Sequence, residues 1–155
     1  QESYQNTQVA VDSPASIIIN TITEEKTRTA KGLIQGAFDD LWGGMDSTKI
    51  LDYYTKDFYI LEHGEIWNND RVKLFIKTSL DRESLPKRVN RMKYHTIEKY
   101  GDAINIAYDN YGDFYQGDSL VWEGHWLESA LIIPTETGWR IRTMHSTRIS
   151  VEQTK

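Results

Sequence analysis

The chain has 155 residues, a net charge of −5 and no cysteine, which suits one domain burying roughly two thirds of its unfolded surface and excludes disulfides and thiolate metal sites. Hydrophobic residues at 39% and charged residues at 26% give a globular composition, and no apolar run approaches the roughly 18 residues of a bilayer span. The acidic balance argues against nucleic acid as a partner, since that affinity rests on lysine and arginine neutralising phosphates.

The first 13 residues are expected to be a flexible tail, and residues 14 to 155 a single domain. The chain starts at Gln1 without a methionine and runs on through polar residues, as after removal of a secretory signal or deliberate trimming. Export to the periplasm or medium of a bacterium is the reading taken here. Ser13-Pro14 marks the entry to Ile17-Ile18-Ile19, and Thr21 with Glu24 fits a capping box that starts a helix. Ala30, Leu33, Ile34, Ala37, Phe38, Leu41 and Trp42 then recur at three- and four-residue steps. That spacing predicts a helix over 28 to 42 with one apolar stripe, ended by Gly43-Gly44.

Asp46 is a predicted N-cap for a short second helix carrying Ile50, Leu51 and Tyr54, and residues 57 to 62 turn strand-like. His63-Gly64 between Tyr59-Ile60-Leu61-Glu62 and Glu65-Ile66-Trp67 predicts a tight hairpin. Asn69 or Asp70 caps a third helix with Val72, Phe75, Ile76 and Leu80 on its buried side. The basic cluster Arg82, Lys87, Arg88, Arg91 and Lys93 reads as a solvated loop and strand face.

After Pro86 the pattern becomes four long strands, at 89 to 100, 103 to 115, 121 to 133 and 139 to 149. Gly101-Asp102, Gly117-Asp118 and Thr135-Glu136-Thr137-Gly138 separate them, and connectors this short imply antiparallel neighbours. In the last strand a period of two puts Trp139, Ile141, Thr143, His145 and Thr147 on one face. Arginine dominates the other face, so His145 is expected beside a core tryptophan. Helices followed by a meander give an α+β layout with helices on one face of the sheet.

The order of these elements resembles the nuclear transport factor 2-like superfamily, above all its SnoaL-like members and the association domain of calcium/calmodulin-dependent protein kinase II. The strings that carry the resemblance are Gly138-Trp139-Arg140-Ile141, Met144-His145-Ser146 and Phe58-Tyr59-Ile60-Leu61-Glu62. It implies a cone-shaped α+β fold, three N-terminal helices packed on a curved, mainly antiparallel sheet that encloses a pocket. It also implies a homodimer formed through the outer sheet face. It does not imply one activity, because relatives include isomerases, dehydratases, cyclases and oligomerisation domains. The kinase domain's pocket arginine on the penultimate strand matches Ala130 here, and the isomerases' tyrosine and aspartate oxyanion donors find no matching pair.

His63 and His145 are the candidate catalytic pair, because histidine titrates near neutrality and serves as acid or base within hydrogen-bond reach. The alternative is a turn residue and a satisfied wall histidine. Glu62, which matches a pocket glutamate of the kinase domain, is a candidate for ligand contact. Tyr59, Trp67, Tyr111 and Trp126 are candidate aromatic walls, alongside the alternative of core and dimer contacts. Asp109 shares strand parity with Tyr111 and is placed to orient a histidine. The four histidines, His63, His95, His125 and His145, are dispersed, so no metal and no cofactor is expected. The reading is an exported binder of a small apolar or aromatic molecule; a cofactor-free isomerase, dehydratase or cyclase with a histidine base and a non-catalytic dimerisation module are the alternatives.

Overall fold

The computed structural model describes residues 21–149; the expected tail and the Ile17-Ile18-Ile19 run lie outside them. Thr23 caps α1 (Glu24–Ala37) by accepting from the Lys26 amide, with Glu24 and Glu25 in the first turn. The expected cap at Thr21 is corrected to Thr23, whose hydroxyl lies three residues from the free amide it serves. The helix does not continue as α to Gly43. It widens into a π-helical turn over Phe38–Gly43, where the Gly44 amide donates to Asp39 O at 2.7 Å. Such widened turns are frequent at functional sites, and this one buries Phe38, Leu41 and Trp42.

Asp46 caps a 3₁₀ turn (Ser47–Lys49) leading into the short α2 (Ile50–Tyr53). Tyr54 belongs to β1 (Tyr54–Glu62), which turns at His63-Gly64 into β2 (Glu65–Asn68). Both turn residues have positive φ, +49° and +79°, the form that matches strand twist in a two-residue hairpin. Asn68, one residue before the expected positions, caps α3 (Asn69–Leu80). Val72 and Ile76 are buried there, whereas Leu80, at the last position of the helix, is exposed rather than on the buried side.

Four long strands follow, β3 (Lys87–Tyr100), β4 (Ala103–Gln116), β5 (Ser119–Thr135) and β6 (Gly138–Arg148). The six strands form one sheet in the order β2-β1-β6-β5-β4-β3. Every pair is antiparallel except β1 with β6. The described residues therefore form three α-helices and a curved, open, six-stranded sheet, an α+β arrangement. Ala30, Ile34, Ala37, Phe38 and Leu41 meet Ile104, Ile106, Tyr108, Ala130, Ile132 and Ile141 in one core. Among the described residues no helix is long and apolar enough to cross a membrane.

One irregularity decides which side chains reach the interior. On β6, Ile141 pairs with Ile132 and Thr143 with Leu131, so Arg142 is left without a partner on β5. This bulge reverses the facing of every later residue. Ile141 points inward before it, and Met144 and Ser146 are the buried residues after it. The expectation that Thr143, His145 and Thr147 share the face of Ile141 is corrected: His145 is exposed on the outer sheet face.

Candidate functional site

Strands β1, β2, β3 and β5, helix α3 and the π-helical turn form a half-open cavity of about 160 Å³, lined by Phe38, Trp42, Ile60, Glu62, His63, Trp67, Phe75, Arg88, Trp126 and Glu128. Rings make its walls. Trp42 and Trp67 flank Phe75, with ring centroids 5.4 and 5.6 Å away. Trp126 reaches in from β5 because two glycines face each other across the β4–β5 ladder, Gly112 and Gly124. A Cβ on Gly112 would stand 3.1 Å from both Trp126 Cζ3 and Arg88 Nε, so glycine here makes room for the wall.

Three charged side chains share this space. Glu128 lies on the inward row Trp126, Glu128, Ala130, Ile132 of β5 and is 5% exposed. Its cross-strand neighbour Ser146 donates to Oε1 at 2.8 Å, and Asn110 Nδ2 approaches Oε2 at 3.5 Å. Burial pushes the carboxyl up to about 7, against the opposing pull of the Ser146 hydrogen bond and the Arg88 charge. Glu62 is raised as well, first by burial, with His63 the main opposing influence. His63 Nε2 lies 2.9 Å from Glu62 Oε1.

Arg88 projects from β3 over the rings of Trp126 (4.8 Å), Phe114 (5.5 Å) and Phe38 (5.6 Å). Burial lowers its guanidinium to about 10, which leaves it cationic at neutral pH. No carboxylate lies within 4.0 Å of it among the described residues. Its Nε is buried without a hydrogen-bond partner, as are the Tyr108 hydroxyl and Asn110 Oδ1 behind Glu128. The Tyr108 hydroxyl lies toward Glu128 without meeting it at bonding geometry. Unpartnered buried polar atoms carry a desolvation cost, and of these three residues Arg88 is the one that lines the cavity.

Of the residues singled out in the sequence, Glu62, His63, Trp67 and Trp126 come together at this cavity. His145, Tyr59, Asp109 and Tyr111 do not line it. Tyr59 is 38% exposed on the outer face, with the Arg142 guanidinium 5.4 Å from its ring. Asp109 and Tyr111 also face outward, on β4. Asp109 does hold histidines, His95 (2.6 Å) and His125 (2.7 Å), neither of which is one of the candidate catalytic pair His63 and His145. Burial would raise Asp109, yet the hydrogen bonds from His125 and His95 hold it below the usual carboxylate range. Tyr111 stacks on His125 at 4.5 Å. Among the described residues, no group of three or more histidine and carboxylate side chains is arranged to hold a metal ion.

Arg88, Glu128, Phe38, Trp42 and Phe75 were missed as site residues. The signal for Glu128 was present, since a carboxylate on the same alternating face as Trp126, Ala130 and Ile132 is a buried charge. Arg88 was absorbed into a basic run whose other members are solvated.

No protein-family model matches this sequence, and no curated protein does. Solved structures match the fold closely. A CamKII hub homology domain from Chlamydamonas reinhardtii superposes with a TM-score of 0.69 at 14% identity, over 81% of this chain and 99% of that one. A ketosteroid isomerase-like protein from Erwinia carotovora atroseptica gives 0.61 at 15% identity, over 83% and 100%. A nuclear transport factor 2-like superfamily protein from Salmonella enterica serovar Typhimurium gives 0.64 at 15% identity, over 83% and 94%. At these identities the likeness is one of fold, and the chain has the fold of the nuclear transport factor 2-like proteins.

Proposed function

We propose that this protein binds a small molecule, of one ring or a short chain, in the aromatic cavity between the π-helical turn and the sheet. The observation that carries the reading is the pairing of aromatic walls with three convergent charged side chains, Glu62, Arg88 and Glu128, the usual make-up of a small-molecule site. The size fits: a cavity of roughly 150 Å³ accommodates benzene, and this one is about 160 Å³. A survey of compounds retained by the natively purified protein, read by mass spectrometry, tests it. Retention of one-ring compounds by the wild type and not by Trp126→Ala supports the reading; retention unaffected by that change refutes it.

A second reading, cofactor-free proton transfer, is favoured by Glu128 specifically. A carboxyl titrating near 7 suits a general base at neutral pH, and Arg88 stands ready for a developing oxyanion. In this reading Glu128 takes a proton from the carbon between a carbonyl and a carbon–carbon double bond, and the electron pair moves onto the carbonyl oxygen facing Arg88. The proton then returns to the far carbon of that double bond, which shifts into conjugation as the carbonyl re-forms, giving an isomer. Exchange of the substrate's α-hydrogens for solvent deuterium, lost in Glu128→Gln, tests it. The base is then a carboxylate rather than the expected histidine.

Homodimerisation through the outer sheet face belongs to the same reading. Tyr59, Leu61 and Leu127 are exposed there, and the structural neighbours include a domain named as a hub. Sedimentation at high micromolar concentration should give a dimer; monomer alone would contradict it.

A further inference from the structure

The cavity contains one cation and two carboxyl groups, and none of the three is ion-paired with another of them. Arg88 is the group with most unused capacity. Its fork is clamped against three rings, so its orientation is fixed before any ligand arrives, and its buried Nε has no partner. A planar guanidinium held in this way matches a carboxylate, whose two oxygens take two parallel N–H donors. A neutral carbonyl or hydroxyl would satisfy one donor and leave the positive charge uncompensated in an aromatic surround.

Glu128 limits which charge state of the site can accept such a ligand. From β5 it faces Arg88 of β3, Tyr108 of β4, Ser146 of β6, Glu62 and Tyr54 of β1, and beyond Glu62 the turn residue His63. Burial keeps both tyrosines neutral in this range, and His63 is engaged with Glu62 at 2.9 Å. Arg88 is thus the cation facing Glu128 directly. An entering carboxylate would claim that cation and leave an ionised Glu128 buried next to a second negative charge, which is the arrangement that forces one of two carboxyl groups to hold a proton.

We infer that the ligand is a one-ring or short-chain monocarboxylate seated on Arg88, and that its binding requires Glu128 to be protonated. This rests on the small-molecule reading of the cavity and narrows it to an anion with coupled proton uptake. Because Glu128 titrates near 7, the competent fraction falls about tenfold between pH 6 and pH 8, and apparent affinity falls with it. The ligand carboxylate is itself ionised throughout that interval.

The test is calorimetric titration of the full chain with benzoate, benzamide and benzyl alcohol at pH 6, 7 and 8. Benzoate should bind tightest at pH 6 and roughly tenfold weaker at pH 8, while any binding of the two neutral probes stays flat. Glu128→Gln, fixed in the neutral form, should bind benzoate with no pH dependence over the range, and Arg88→Gln should lose the preference for benzoate over benzamide. Benzoate binding that is independent of pH in the wild type overturns the inference without recourse to any variant. Neutral probes binding as tightly as benzoate also overturn it while leaving the small-molecule reading intact, and failure of all three probes refutes the one-ring reading with it.

Discussion

Replacing Glu128 by glutamine should stabilise the protein at alkaline pH and leave it almost unchanged at acidic pH. In the folded chain the carboxyl titrates near 7 instead of 4.5, so the native state holds a proton that the unfolded state has released. Stability from this group is fully present below about 4.5, declines as pH rises through the interval to about 7, and is flat above it. At roughly 1.4 kcal/mol for each pH unit, the rise from 4.5 to about 7 corresponds to about 3 kcal/mol lost by the wild type. Glutamine has the same shape, still accepts from Ser146, and does not ionise. Urea denaturation of both proteins at pH 5, 6, 7 and 8 should show the curves close together at pH 5 and separated by up to about 3 kcal/mol at pH 8. For a chain of this size that is roughly 6–12 °C in Tm. The other titrating groups are shared, so their contributions cancel in the difference except for those coupled to Glu128, Glu62 and Arg88. A gap that does not change with pH would mean that Glu128 is ionised in the native state and that its burial has been misjudged.

Gly112→Ala should displace Arg88 and Trp126, because the added Cβ meets both at 3.1 Å and Phe114 Cε2 at 3.2 Å; overpacking of about 1–3 kcal/mol, less up to ~1 kcal/mol gained by removing a strand glycine, should appear as lower stability and weaker benzoate binding by calorimetry. His145→Ala, on the exposed outer face, should change stability by less than about 0.5 kcal/mol and leave ligand affinity unaltered; a lost affinity would place the site elsewhere. Asp109→Asn should destabilise the fold at neutral pH through the loss of both histidine contacts. Because those contacts hold Asp109 below the usual carboxylate range, its contribution is present above that range and lost as pH falls through the folded value. The difference from wild type in denaturation experiments should therefore shrink toward low pH.

The presence of the helices, the hairpin and the four long strands was legible because each rests on local chemistry: apolar spacing on α1, Asp46 capping the turn that leads into α2, His63-Gly64 at the hairpin. Facing along β6 was not, because a bulge is a property of the pairing between two strands. Nothing in Arg140-Ile141-Arg142-Thr143 distinguishes a regular strand from one that skips Arg142, and the skip sends His145 outward and Ser146 inward. The π-helical turn was hidden for a similar reason. Its wider winding is braced by β3, where Asn90 Nδ2 donates to Phe38 O at 3.0 Å, a contact 52 residues away in sequence. Strand parity put Asp109 with Tyr111 but could not say which sheet face the two occupy, nor that His95, itself unpaired at a β3 bulge, and His125 were the histidines it meets. The cavity's charged floor was partly legible, since Glu128 stands on an apolar row, whereas the value of Arg88 depends on Gly112 and Gly124 lying opposite each other.

The most direct test of the account is to follow the five tryptophan indole N–H signals by NMR while benzoate is added at pH 6. Trp42, Trp67 and Trp126 line the cavity, and Trp139 packs elsewhere against the core. Saturable shifts of the first three signals with Trp139 unmoved are expected, with loss of those shifts in Arg88→Gln. Shifts at Trp139 without movement of the cavity tryptophans, or identical shifts in Arg88→Gln, would contradict it.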